Sequence, residues 1–140
     1  MTDKPSLNLK TGGTTWNSVT MGGLKDYKPD YNARLILRGA GGSDWVDMTA
    51  VTEQHYLVAI GYDDQATLAA LHAKKGEEST LVVQSLDMNG GGTGYQDSFA
   101  NARMVGANAN HGYGILGAFV AVFAVRSTDG AADPLTVSTF

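Results

Sequence analysis

Residues 113–126 read YGILGAFVAVFAVR, a stretch with no charge before its last residue. Tyr113, Ile115, Phe119, Phe123 and Val125 fall on one parity; Gly114, Leu116, Ala118, Val120, Val122 and Ala124 fall on the other. A period of two carried by β-branched and aromatic residues predicts a strand rather than a helix. At about 3.4 Å per residue the stretch would span roughly 45 Å, about twice an ordinary strand. Both parities are apolar, so both faces need cover. A chain of 140 residues has little material for covering both by itself. The stretch therefore predicts a core or intersubunit strand built on Tyr113, Ile115, Leu116, Phe119, Val120, Val122 and Phe123. The large parity is expected in the protomer core, and the small Gly/Ala/Val parity against a helix or a neighbouring subunit.

Working outward, Asn108 to Gly112 (NANHG) supplies turn residues, and Ser98 to Ala107 alternates as a strand that would form a hairpin with 113–126. Further strands are predicted at Trp16–Met21, Ala33–Arg38, His55–Tyr62 and Ser79–Leu86, with a short strand or arm at Leu135–Thr139. LKDYKPDYN (24–32), the segment around Trp45 and DMNGGGTGYQ (87–96) read as loops. One helix is expected over about 64–75: Asp63-Asp64 precedes QATLAALHAKK, Lys74 and Lys75 suit its last turn, and Gly76 follows. The fold class is mainly β, an antiparallel sandwich or barrel with one short helix. Residues 1–140 form one domain, with a polar N-terminal arm at 1–15 and a C-terminal loop and short strand or arm at 127–140.

Composition narrows the function classes. The chain has 18 Gly, 3 Pro and no Cys, which suits an all-β fold with many turns and rules out disulfides and thiolate metal sites. A net charge of −4 with mixed signs lacks the basic stripe of a nucleic-acid reader. MTDKPSLNLK has no apolar core of a signal peptide, and the apolar run is too short for a transmembrane helix, so no membrane association is expected.

No chemical motif emerges. His55, His72 and His111 share no metal-ligand spacing. Asp63-Asp64 is explained by helix capping. Asn89–Gly94 (NGGGTG) lacks the lysine and following helix of a phosphate-binding loop, and no GxSxG elbow exists. No catalytic residue, metal, cofactor or small-molecule substrate is therefore expected, and no enzyme activity. Trp16, Trp45, Tyr27, Tyr31 and Tyr95 lie in or beside polar segments. They either lid the ends of the β-structure or bind sugar rings or a protein partner.

The order of elements resembles the major tail-tube proteins of long-tailed bacteriophages and related injection-system tube proteins. The parts that carry the likeness are a polar N-terminal arm, the strand containing WNSVTMGGL, and the strand ARLILRG. After them comes the helix DDQATLAALHAKKG leading into ESTLVVQSL, and then a long alternating hairpin. The resemblance implies a virion protein, assembled in the bacterial host cytoplasm, that forms stacked rings, expected to be hexamers. DNA would pass through them as non-specific cargo. Other tail or head-completion proteins would be partners. It also implies lumen-facing residues, for which Asn101 and Arg103 are the candidates. Loops joining successive rings would include Gly39, Gly41, Gly42, Trp45, Gly90, Gly91, Gly92 and Tyr95. The alternatives are a capsid decoration or head–tail joining protein, and a carbohydrate- or protein-binding β-sandwich.

Overall fold

The structure, a computed structural model, describes residues 7–39, 46–87, 93–110 and 118–140. Nine strands and one helix occur among them. They are β1 (Leu7–Leu9), β2 (Thr15–Trp16), β3 (Val19–Thr20), β4 (Leu24–Gly39), β5 (Val46–Tyr62), α1 (Gln65–His72), β6 (Glu78–Asp87), β7 (Gly94–Asn110), β8 (Ala118–Val125) and β9 (Leu135–Thr139). All ladders are antiparallel and join one sheet in the order β3-β2-β6-β7-β8-β5-β4. β1 pairs with the far end of β6, and β9 lies beside β7 in line with β8. The mainly-β antiparallel fold with one short helix is thus present, as a single curled sheet. It curls until β1 lies against β4 without pairing with it, so no barrel closes among the described residues.

Strand alternation decides what the curl encloses. Val58, Ile60 and Tyr62 of β5, Leu81 and Val83 of β6, and Phe119, Ala121, Phe123 and Val125 of β8 point inward and are buried. Trp16, fully buried, sets its ring 5.3 Å from that of Phe123 and donates from Nε1 to the Ala102 carbonyl at 2.9 Å. Its indole N–H is thereby satisfied inside the core, which is the condition for burying Trp without penalty.

Several sequence expectations change. Trp16–Met21 is not one strand: Asn17 and Ser18 hold φ of 50° and 65° and turn β2 back onto β3. Two consecutive left-handed residues make the tight hairpin turn that suits twisted strands, and Asn tolerates it. The 24–32 segment is not a loop but the first half of β4. Pro29 is tolerated there because, among the described residues, β4 is the sheet's edge and pairs only with β5. The strand beginning at His55 extends back to Val46, and Ser98–Ala107 is the middle of β7. Tyr95 consequently sits in a strand, paired with Ser85 and Thr139, and not in a loop. Within the expected N-terminal arm, Leu7–Leu9 is laid against β6.

The helix is shorter than expected. The Asp64 side chain accepts from the Ala66 N–H and from the Thr67 hydroxyl, and that hydroxyl accepts from the Gly22 N–H at 3.0 Å. The cap therefore also ties α1 to the end of the β2–β3 hairpin. Beyond His72 the chain turns until Gly76, at φ 81°, where its N–H bonds to Met104 of β7 instead of continuing the helix. The Lys74 N–H closes a tighter turn on the Leu71 carbonyl, and its side-chain ammonium donates to the Asn17 carbonyl. Asp64→Ala should lower stability by about 1 kcal/mol, the usual worth of an Asp N-cap, measured by urea unfolding.

Candidate assembly surface and two clefts

The outer face of the sheet is built in rungs. Reading across β4, β5, β8 and β7, the register aligns Asp30, Leu57, Ala124 and Arg103 in one rung. The next holds Lys28, Ala59, Val122 and Gly106, and the third Asp26, Gly61, Val120 and Asn108. Paired residues share a face, so the two middle strands carry an apolar stripe and the flanking strands mostly a polar border. Leu57 and Val120 are 37% and 38% exposed, and Val105, at the bulge of β7, is 57% exposed. Gly61 has its place because the Asp26 carboxylate lies over it: a Cβ there would stand 2.1 Å from Asp26 Oδ1.

The expected core-or-interface set thus divides. Phe119 and Phe123 are core; Val120 and Val122 belong to the outer stripe; Tyr113, Ile115 and Leu116 lie outside the described residues. Leu57 and Ala59 join the stripe, although the sequence placed only a strand at His55–Tyr62 and named no interface residue on it. The missed signal was that 57, 59 and 61 carry no polar side chain either.

Asn101 and Arg103 do different things. Asn101 sits at φ 56° where the β6–β7 register shifts, and its amide donates to the Thr128 hydroxyl. Arg103 donates to the Gly76 carbonyl at 2.9 Å and to Glu78 at 3.1 Å, and Arg126 meets the same carboxylate at 3.3 Å. Of the expected loop residues, Gly39 closes β4 opposite Val46. Gly41, Gly42, Trp45, Gly90, Gly91 and Gly92 lie outside the described residues, as does His111.

Beyond Asn32 and His55 the β4–β5 pair leaves the sheet. From Arg34↔Thr52 to Gly39↔Val46 the two strands pair only with each other among the described residues. A two-stranded ribbon is marginal in water by itself.

Two clefts flank this framework. One, about 680 Å³, lies inside the curl where β1 approaches β4 and is lined by Leu9, Leu24, Tyr27, Val83, Tyr95, Asp97 and Val137 among others. Here the Tyr27 hydroxyl donates to Asp97 at 2.7 Å. Burial first, then the hydrogen bond and the charge of Asp97, hold its phenol well above the ordinary value of 10.0. A raised folded-state value means this contribution to stability is complete below the unfolded value and is lost as pH rises toward the folded one. Alkaline titration of tyrosinate absorbance should show a late step that coincides with unfolding, and Tyr27→Phe should reduce its amplitude.

The other cleft, about 520 Å³, is a notch between the base of the ribbon (Tyr31, Glu53–Tyr56) and the 127–134 loop. Asp129 organises that loop by accepting from Ala131 and Ala132 N–H groups, with Ala132 first among the contacts that lower its carboxyl pKa.

No group of three or more His, Cys, Asp or Glu among the described residues could hold a metal ion. No helix among them is long and apolar enough to cross a membrane. No protein-family model matches the chain, and no curated protein matches it at a significant level.

Proposed function

We propose that this chain is a structural subunit that assembles with copies of itself, of the kind that stacks as rings into a phage tail tube. The observation that carries the reading is the apolar stripe on the outer face of β5 and β8, exposed among the described residues at Leu57 and Val120 and half-buried at Ala59, Val122 and Ala124, on two central strands whose inner face is already committed to the core. At about 4.8 Å between strands and 3.4 Å per residue the stripe measures roughly 10 by 20 Å. That is too small for a whole interface of about 800 Å² per partner, but it has the make-up of an interface centre, apolar inside a polar border. The ribbon of β4 and β5 favours the same reading, because among the described residues its two strands pair only with each other, and a two-stranded ribbon gains from contact with a second copy. The tube in particular rests on the resemblance in element order, with one helix leading into a strand and a long hairpin late in the chain.

Negative-stain microscopy and light scattering of the purified protein test this directly. Rings or tubes are the expected result. A strictly monomeric species at high concentration would overturn the reading.

A further inference from the structure

We propose that the notch at the base of the ribbon binds a neutral saccharide, a function separate from assembly and independent of it. Its first ingredient is an aromatic platform. Tyr31 is 54% exposed, and its ring stands edge-on to Tyr56 with centroids 5.7 Å apart. Tyr56 in turn stands 5.7 Å from the core ring of Phe99. The exposed ring is therefore anchored through a ladder of aromatics to the protein interior. Its hydroxyl is fixed as well, donating to Gln54 Oε1 at 2.7 Å. A tyrosine held this way offers contact area to the C–H face of a pyranose with little ordering left to do.

The second ingredient is a set of planar polar groups around that platform. The Asp133 carboxylate accepts from Tyr56 Oη at 3.0 Å and from the Leu135 N–H at 2.9 Å, so it is held in place with lone pairs to spare. The Gln54 amide and the Arg126 guanidinium line the same notch. Carboxylate, amide and guanidinium each present two coplanar atoms, the arrangement that meets two adjacent hydroxyls at once. Charge then selects among ligands. Glu53 is paired with Arg34 and Arg126 shares Glu78 with Arg103, while Asp133 faces the notch as a carboxylate held only by neutral donors, so no positive field gathers a phosphate or sulfate. The volume of about 520 Å³ falls within the usual range for small-ligand sites and suits one or two sugar rings.

Saturation-transfer NMR on the full chain, a method unaffected by large assemblies, tests the site. The probes are the methyl glycosides of glucose, galactose, mannose and N-acetylglucosamine, with a neutral proline-containing tetrapeptide as the competing class. Saturation should reach the ring protons of at least one glycoside, with Kd on the order of 1 mM, as for a small ligand with few contacts. Tyr31→Ala should weaken that binding about tenfold, whereas Tyr31→Phe, which keeps the ring, should stay within about threefold. Asp133→Asn, a change at the exposed wall of the notch, should weaken it several-fold and leave the ring contact in place. Absence of transfer to every glycoside, transfer to the peptide alone, or equal transfer in Tyr31→Ala would overturn the proposal. Light scattering of the same variants should be unchanged, which separates failure of this site from failure of assembly.

Discussion

Phe123→Asp should yield a chain that no longer folds, losing the cooperative unfolding transition and accumulating in the insoluble fraction. Phe123 is fully buried, its ring 5.3 Å from that of Trp16, and β8 carries it between β5 and β7. Truncating a buried Phe to Ala costs about 3–5 kcal/mol. A carboxylate adds the penalty of an unpaired charge in the core, by itself several kcal/mol or the cost of forcing it neutral. The sum is of the same size as the whole stability of a typical domain, about 5–15 kcal/mol. The measurement is circular dichroism through a urea titration, with Phe123→Leu as the control that keeps an apolar side chain. A soluble Phe123→Asp protein with native unfolding behaviour would show that the packing around β8 is not as described.

The complementary substitution is on the other side of the same strand. Val120→Asp combined with Leu57→Asp should leave the monomer folded and abolish assembly. Both positions are more than a third exposed, so the new carboxylates stay hydrated, and the main cost to the monomer is about 1 kcal/mol where position 57 faces Asp30 across the strands. In an assembled state that covers the stripe, each would be buried without a counter-ion, a loss of several kcal/mol per contact. Repetition around a closed ring multiplies that loss. The expected record is an unfolding midpoint within a few degrees of wild type, together with a scattering signal reduced to that of the monomer. If the double variant still forms rings, the outer stripe of β5 and β8 is not the contact between copies. The two experiments separate the faces of one strand, the inner one expected to be needed for folding and the outer one, on the proposed assembly, for association.

How much of this was legible in the sequence follows from the range of the forces involved. Strand parity and helix caps are local, so the buried parity at Phe119, Phe123 and Val125 and the capping by Asp64 could be read from neighbours alone. What failed depended on position in the sheet. Pro29 looks like a loop residue until β4 is known to be an edge, where its missing N–H is not required. Trp16 looks like an exposed aromatic among polar residues until the hairpin at Asn17 and Ser18 folds it under Phe123. The outer stripe was half legible. The small parity of 113–126 suggested a covered second face, but its extension through Leu57 and Ala59 needed the β5–β8 register, a pairing more than sixty residues apart in the chain. Tyr31, Tyr56 and Asp133 gave no sign of meeting, because the loop that brings Asp133 to Tyr56 has no periodic pattern.

The placement of β8 between β5 and β7 also bears on how the subunit is made. During synthesis the β4–β5 hairpin is complete long before residues 118–125 exist, and until then the β5 edge that will receive them is open. Closing that gap joins segments distant in sequence, which is the slow kind of step in folding. An open edge is also the usual starting point for unwanted pairing between nascent chains. The order has a useful side. The apolar stripe needs β8 in place to exist at all, since half of it is Val120, Val122 and Ala124. On the proposed assembly, copies made one after another on the same message would become adhesive only once β8 has docked in each, and the strand order would set the timing of association.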